Sequence, residues 1–229
     1  MPLLSSPKTI LIFLCIATTL FPSSTTIAQD SSPNKNFKFL FSAVVQVIQN
    51  GQPKIIPLTD NMLLKSGNLI KFYFEFERDG WLYFFYEDSA GDLSLLYPKE
   101  LEQSKILKFT PVFVPEGFFW IELDSKTGKE TFHLIVSSVQ LEQLESLYGA
   151  RIVLKERSDI KQSTQSILAE IKSLGRKSLI RPAEKPLRIA GKLRGNSGSD
   201  QPIPIELFST ALEVTASRTY VKSITIDHK

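Results

Sequence analysis

Cysteine is nearly absent: Cys15 is the only one in 229 residues. A lone cysteine forms no intramolecular disulfide, so the fold must be held by packing. Histidine is almost as scarce, with only His133 and His228. Structural zinc normally needs four nitrogen or sulfur ligands, so this inventory leaves only two histidines joined by carboxylates as a formal metal option. No metal-ligand spacing supports it, and no cofactor is expected. The glycines between Gly195 and Gly198 lack the strand, loop and lysine of a phosphate cradle. No nucleophile has a base beside it in the sequence. The net charge of +3 is too close to neutral to argue for nucleic acid by bulk electrostatics. Internal repeats and low-complexity blocks are missing as well.

The N-terminus has a processing pattern. Lys8 precedes an apolar run with Ile10, Leu11, Ile12, Phe13, Leu14, Ile16 and Leu20, and Thr26, Ile27 and Ala28 follow a Ser/Thr stretch. About a dozen apolar residues fall short of the roughly 18 to 20 that span a bilayer, so the run predicts a signal peptide over residues 1–28, cleaved after Ala28, rather than a retained anchor. Cys15 would leave with it. Residues 29–36 are polar and read as a flexible leader, and residues 37–229 as a single β-rich domain large enough for a respectable core.

Residues 65–98 carry the densest aromatic cluster and the clearest alternation. Ile70, Phe72, Phe74 and Phe76 alternate with Lys71, Tyr73, Glu75 and Glu77, which predicts a strand with one apolar and one wet face. Arg78, Asp79 and Gly80 read as a tight hairpin turn with Gly80 at positive φ. Residues 81–86 are apolar or aromatic throughout and suit a central strand covered on both faces. A turn at residues 88–92 leads to a third strand that Pro98 ends.

Residues 37–48 predict a long strand, with a hairpin at Asn50 and Gly51 returning into an edge strand marked by Pro53 and Pro57. Short edge pieces are expected at 106–109 and 112–114. Residues 118–123 and 131–137 read as a second hairpin. The period then lengthens to that of a helix. Leu141, Leu144, Leu147 and Tyr148 share one face of a helix expected to start at Ser137 or Ser138 and stop at Gly149. A brief strand at 151–154 and a second amphipathic helix from Ser158 to Gly175 follow. Residues 176–202 read as a basic loop around a short strand near 187–190, and closing strands are expected at 205–208, 212–216 and 220–226, the last beside a central strand. The fold class is therefore α+β, predominantly β: an antiparallel sandwich-like domain with two appended amphipathic helices covering an aromatic sheet face.

The ordered series Leu64-Lys65-Ser66-Gly67-Asn68, Phe72-Tyr73-Phe74, Asp79-Gly80-Trp81-Leu82-Tyr83, Gly91 to Leu95 and Leu96-Tyr97-Pro98 resembles the bacterial domain-of-unknown-function family 4384. The likeness continues through Trp120-Ile121-Glu122-Leu123-Asp124, Gly128-Lys129-Glu130-Thr131-Phe132 and Leu134 to Ser138. It covers roughly half of the chain beyond the leader, and Tyr220 to His228 resembles the strand with which relatives often close. Asn68 and Trp81 stand where the family usually has Asp and Tyr. The resemblance implies a secreted or membrane-attached accessory module, sometimes attached to caspase-like peptidases or protein kinases, with no established catalytic set.

Two features suggest binding. The aromatics Trp81, Tyr83, Phe85, Tyr86, Tyr97 and Trp120 form either core or an exposed platform for a protein or glycan. The basic residues Lys172, Arg176, Lys177, Arg181, Lys185, Arg188, Lys192 and Arg194 form either a solvated loop or a patch for an anionic lipid surface or acidic partner. Glu75/Glu77 and Glu87/Asp88 are the acid pairs from which a glycan hydrolase would be built. His133 reads as a surface or half-buried structural group and His228 as exposed near the terminus. The sequence thus favours a secreted, periplasmic, non-catalytic binding or interaction module of the envelope, partnered by an envelope protein. Its alternatives are a carboxylate-dependent envelope glycan hydrolase and a structural protein on anionic membrane.

Overall fold

The computed structural model describes residues 36–177, 183–186 and 204–229. The expected signal peptide, most of the leader, Arg181, Arg188, Lys192, Arg194 and the expected strand at 187–190 lie outside the described residues.

Two sheets share one interior. The first contains β1 (Phe37–Gln49), β2 (Gln52–Pro57), β4 (Leu69–Phe76), β8 (Val112–Val114), β9 (Ile121–Glu122), β11 (Ala183–Pro186) and β12 (Leu212–Ala216). Its order is β11-β12-β1-β4-β8, with β2 also on β1 and β9 on β4. The second contains β3 (Met62–Leu64), β5 (Gly80–Glu87), β6 (Leu93–Tyr97), β7 (Lys105–Ile106), β10 (Gly128–Ser137) and β13 (Thr219–His228). Its order is β3-β13-β10-β5-β6, with β7 on β5. Among the described pairings, only β3 with β13 is parallel.

Alternation builds the interior. Phe39, Phe41, Phe72, Phe74 and Phe76 from the first sheet meet Phe84, Phe132, Tyr220 and Ile226 from the second, all buried in one cluster. Phe72 is the hinge of this packing, with ring centroids 4.6 Å from Phe84 and 5.1 Å from Phe132. Such aromatic pairs contribute about 0.5–1.5 kcal/mol beyond the area they bury.

Several sequence expectations hold. Asn50 and Gly51 both adopt positive φ, as a two-residue turn matched to strand twist requires, and β2 returns along β1 as an edge strand. Strand β5 is central, and β13 pairs with β10 along its whole length. Helices α1 (Glu142–Ile152) and α2 (Arg157–Lys177) lie over the outer face of the second sheet, where Leu144, Ile167, Ile171 and Leu174 cover Tyr83, Phe85 and Ile135.

Other expectations fail for physical reasons. Strands β4 and β5 belong to different sheets, so residues 78–80 are a corner between layers and not a hairpin turn. Gly80 is not among the positive-φ residues; it is needed because a Cβ there would come within 2.8 Å of the Phe76 ring and 3.1 Å of the Ser137 carbonyl oxygen. Likewise β9 pairs with β4 while β10 pairs with β5 and β13, which removes the second expected hairpin and reduces the strand expected at 118–123 to Ile121–Glu122. Ser137 is spent in β10, so α1 begins at Glu142 and runs through Gly149 to Ile152, replacing the start of the brief strand expected at 151–154. The expected strand at 205–208 is a short helix, α3 (Ile205–Ser209), entered from Pro204. Its Leu207 is buried with Val44 and Tyr73 on the outer face of the first sheet, a face that alternation alone marked as wet.

Candidate functional site

The aromatic residues expected to form a platform are divided among three environments. Tyr83 is fully buried beneath the helices, and its hydroxyl donates to Glu145 at 2.5 Å while accepting the Leu141 N–H at 3.2 Å. Burial, then the Glu145 carboxylate, pushes that hydroxyl well above its usual range, so it remains a donor. Trp81 is half-buried at the edge of the same cluster, with the Lys105 ammonium 5.8 Å from its ring centroid. Trp120 packs on the opposite side of the molecule, on the outer face of the first sheet with Tyr73 and Phe113. No common platform unites Trp81, Tyr83 and Trp120. Of the basic residues, Arg176 and Lys177 are exposed at the end of α2, and Lys185 is exposed on β11.

Lys177 lies at a cleft. A cavity of about 500 Å³ opens between the start of α1, the end of α2 and the β12–β13 turn. Leu141, Leu144 and Leu174 supply apolar lining, while Glu142, Glu170, Lys177 and Arg218 bring charges of both signs. Next to it α2 runs close to β13: a Cβ on Gly175 would sit 3.6 Å from Val221, in contact without clash. Arg218 was not singled out by the sequence because it lies far from the basic run, in the turn that enters the closing strand.

Buried ionisable groups mark two further places. Lys71, expected on a wet face, is only 1% exposed. Its ammonium donates to the carbonyls of Pro115 at 3.2 Å, Gly117 at 2.8 Å and Phe119 at 2.7 Å, and stands 5.8 Å from the ring centroids of Phe113 and Trp120. Burial lowers its pKa to about 8. Three acceptors for three ammonium protons make this a staple for the 115–119 loop.

The second place overturns the expectation that His228 is exposed. It is buried at the inner end of β13, 2% exposed, with Nδ1 2.8 Å from Glu130 Oε1 and Nε2 3.1 Å from Ser66 Oγ. Glu130, itself 3% exposed, accepts the Tyr86 hydroxyl at 2.7 Å on its other oxygen. A hydroxyl therefore does have a base beside it, contrary to the sequence reading. Ser66 and His228 are separated by 162 positions, and only the seating of β13 between β3 and β10 joins them.

His133, expected at the surface or half-buried, is buried, hydrogen-bonded between Ser223 at 2.9 Å and Glu87 at 3.1 Å. The acid pairs are dispersed: Glu75 accepts the Tyr73 hydroxyl, Glu77 is exposed, and Glu87 pairs with His133. Among the described residues, no group of three or more His, Cys, Asp or Glu side chains is placed to hold a metal ion, and no helix is long and apolar enough to cross a membrane.

No curated protein and no solved structure matches the chain. Residues 64–140 match the family model described as Domain of unknown function (DUF4384). That span runs from Leu64 through β10, and so supplies β4, β8 and β9 to one sheet and β5, β6, β7 and β10 to the other, while β1, β13 and both long helices lie outside it. The centre of this chain, residues 64–140, is thus similar to the DUF4384 family.

Proposed function

We propose that this chain is a secreted interaction module of a cell envelope, and that it takes its partner by non-catalytic binding in the cleft between α1, α2 and the β12–β13 turn. The observation that carries the reading is the composition of that cleft: apolar Leu141, Leu144 and Leu174 with Lys177, Arg218, Glu142 and Glu170 around them. Such a site suits a protein segment that inserts one apolar side chain and answers charges of both signs. Export is supported by Lys8, the apolar run and Ala28.

A glycan hydrolase is disfavoured at the same place. Glu142 and Glu170 both line the cleft, yet Glu142 is exposed, whereas a general acid working near neutrality is usually held in an apolar surrounding. Of the eight basic residues behind the membrane reading, Lys172, Arg176 and Lys177 are exposed on α2 and Lys185 on β11, while the other four lie outside the described residues.

The test is affinity capture from a crosslinked envelope extract of the host, comparing residues 29–229 with the Lys177→Glu/Arg218→Glu double variant. The reading predicts one dominant protein partner, lost with the double variant and retained by Trp120→Ala. A partner equally retained by both would refute the cleft as its site. Sedimentation with anionic vesicles at low salt, in place of a protein partner, would shift the function to the membrane surface.

A further inference from the structure

Ser66, His228 and Glu130 are ordered as nucleophile, base and orienting acid. An ionised carboxylate only accepts hydrogen bonds, so Glu130 Oε1 takes the Nδ1 proton of His228. In the neutral ring this leaves the Nε2 lone pair facing Ser66 Oγ, whose hydroxyl donates across 3.1 Å. The Tyr86 hydroxyl fixes the far oxygen of Glu130. The histidine and glutamate side chains are 0% and 4% exposed, so the base is oriented by a buried pair, while Ser66 itself is exposed on the turn between β3 and β4. Beside it Gly67 adopts φ +81° with nothing within 4 Å of where a Cβ would stand, leaving room for a reactant. These distances lie within the hydrogen-bond reach that defines an activated serine.

We propose that Ser66 is a nucleophile activated by His228 and Glu130 toward acyl esters presented at the protein surface. Ser66 Oγ attacks the ester carbonyl carbon as its proton passes to His228 Nε2. The carbonyl–alkoxide bond then breaks, and the departing alcohol takes that proton. Water, deprotonated by the same nitrogen, releases the acid and restores the serine. Glu130 is a positioning residue, which holds the imidazole tautomer and balances the transient imidazolium. The centre is separate from the cleft, since nine steps along β13 from Thr219 to His228 correspond to about 30 Å.

The test treats the intact folded chain with a fluorophosphonate probe and maps adducts by peptide mass spectrometry. Ser66 is expected to be modified at least tenfold faster than any other serine of the same molecule, including Ser223, and Ser66→Ala is expected to remove the fast adduct. Glu130→Gln should slow it tenfold or more, with a melting curve confirming that the variant is folded. Comparison among serines within the wild-type protein keeps the test valid should Glu130→Gln fail to fold. Modification of Ser66 no faster than of Ser223, or unaltered in folded Glu130→Gln, overturns the proposal.

Discussion

Strand β13 begins at the edge of an open cleft and ends inside the protein. At its start, Arg218 is exposed and shares the cleft with Lys177, Glu142 and Glu170. At its finish, His228 and Glu130 are withdrawn from solvent and bonded on both sides. Midway, His133 and Ser223 repeat the chemistry of the far end on the outer face, but the His133 and Glu87 side chains remain 11% and 29% exposed. The same residue types thus serve different ends according to solvation. Charges left in water at the cleft are available to a partner and add little to stability. Those sealed at the far end are costly to disturb, because a buried group that loses its partner keeps its desolvation penalty.

Breaking the far end should have the largest effect. Glu130→Ala leaves His228 and Tyr86 without their acceptor, and a loss of about 3–5 kcal/mol in urea unfolding is expected, against at most about 1 kcal/mol for Glu87→Ala beside the more exposed His133. Equal losses would erase the distinction between the His228–Glu130 and His133–Glu87 pairs. Tyr86→Phe removes only a donor to the same carboxylate and should cost about 1.5–3 kcal/mol. Burial, followed by Glu130 itself, raises the Tyr86 pKa, so this donor persists throughout the usable pH range.

Lys71 sharpens the comparison, because it is a buried cation held by carbonyls with no carboxylate among its three hydrogen-bond partners. Folding lowers its pKa from 10.5 to about 8, so between those values the unfolded chain binds more protons than the folded one. Stability from this group therefore rises with pH across that window, by at most about 1.4 kcal/mol per pH unit, and the gain is absent below it. Denaturant midpoints of the wild type should climb relative to Lys71→Met between pH 8 and pH 10; parallel curves would contradict the burial. The smallest stability change belongs to the cleft: Lys177→Glu/Arg218→Glu should move unfolding by no more than about 0.5 kcal/mol while removing the partner.

Much of the sheet content was legible because alternation is a local signal. Phe72, Phe74 and Phe76 mark the buried face of β4, and Leu144, Ile167, Ile171 and Leu174 mark the helical cover. Layer assignment was not legible, since a corner such as residues 78–80 and a hairpin turn draw on the same residues, and what distinguishes them is the pairing of β4 and β5 in different sheets, with Gly80 crowded by Phe76 and Ser137. The wet face assigned to Lys71 and Tyr73 failed because α3 and the 115–120 segment cover it from distant parts of the chain. The Ser66–His228–Glu130 chain was invisible for the same reason. Its three members sit on different strands or turns, and no spacing rule links positions whose neighbourhood is made by the final strand.

If the proposed function holds, the cleft end of β13 receives a protein partner. The most direct test places a photo-crosslinking amino acid at Gln143, an exposed residue lining the cleft, and another at Lys185, exposed on β11. One discrete protein adduct in the host envelope is expected from position 143 and none from position 185. Adducts from position 185 alone, or none from position 143 in a correctly exported and folded protein, would contradict it.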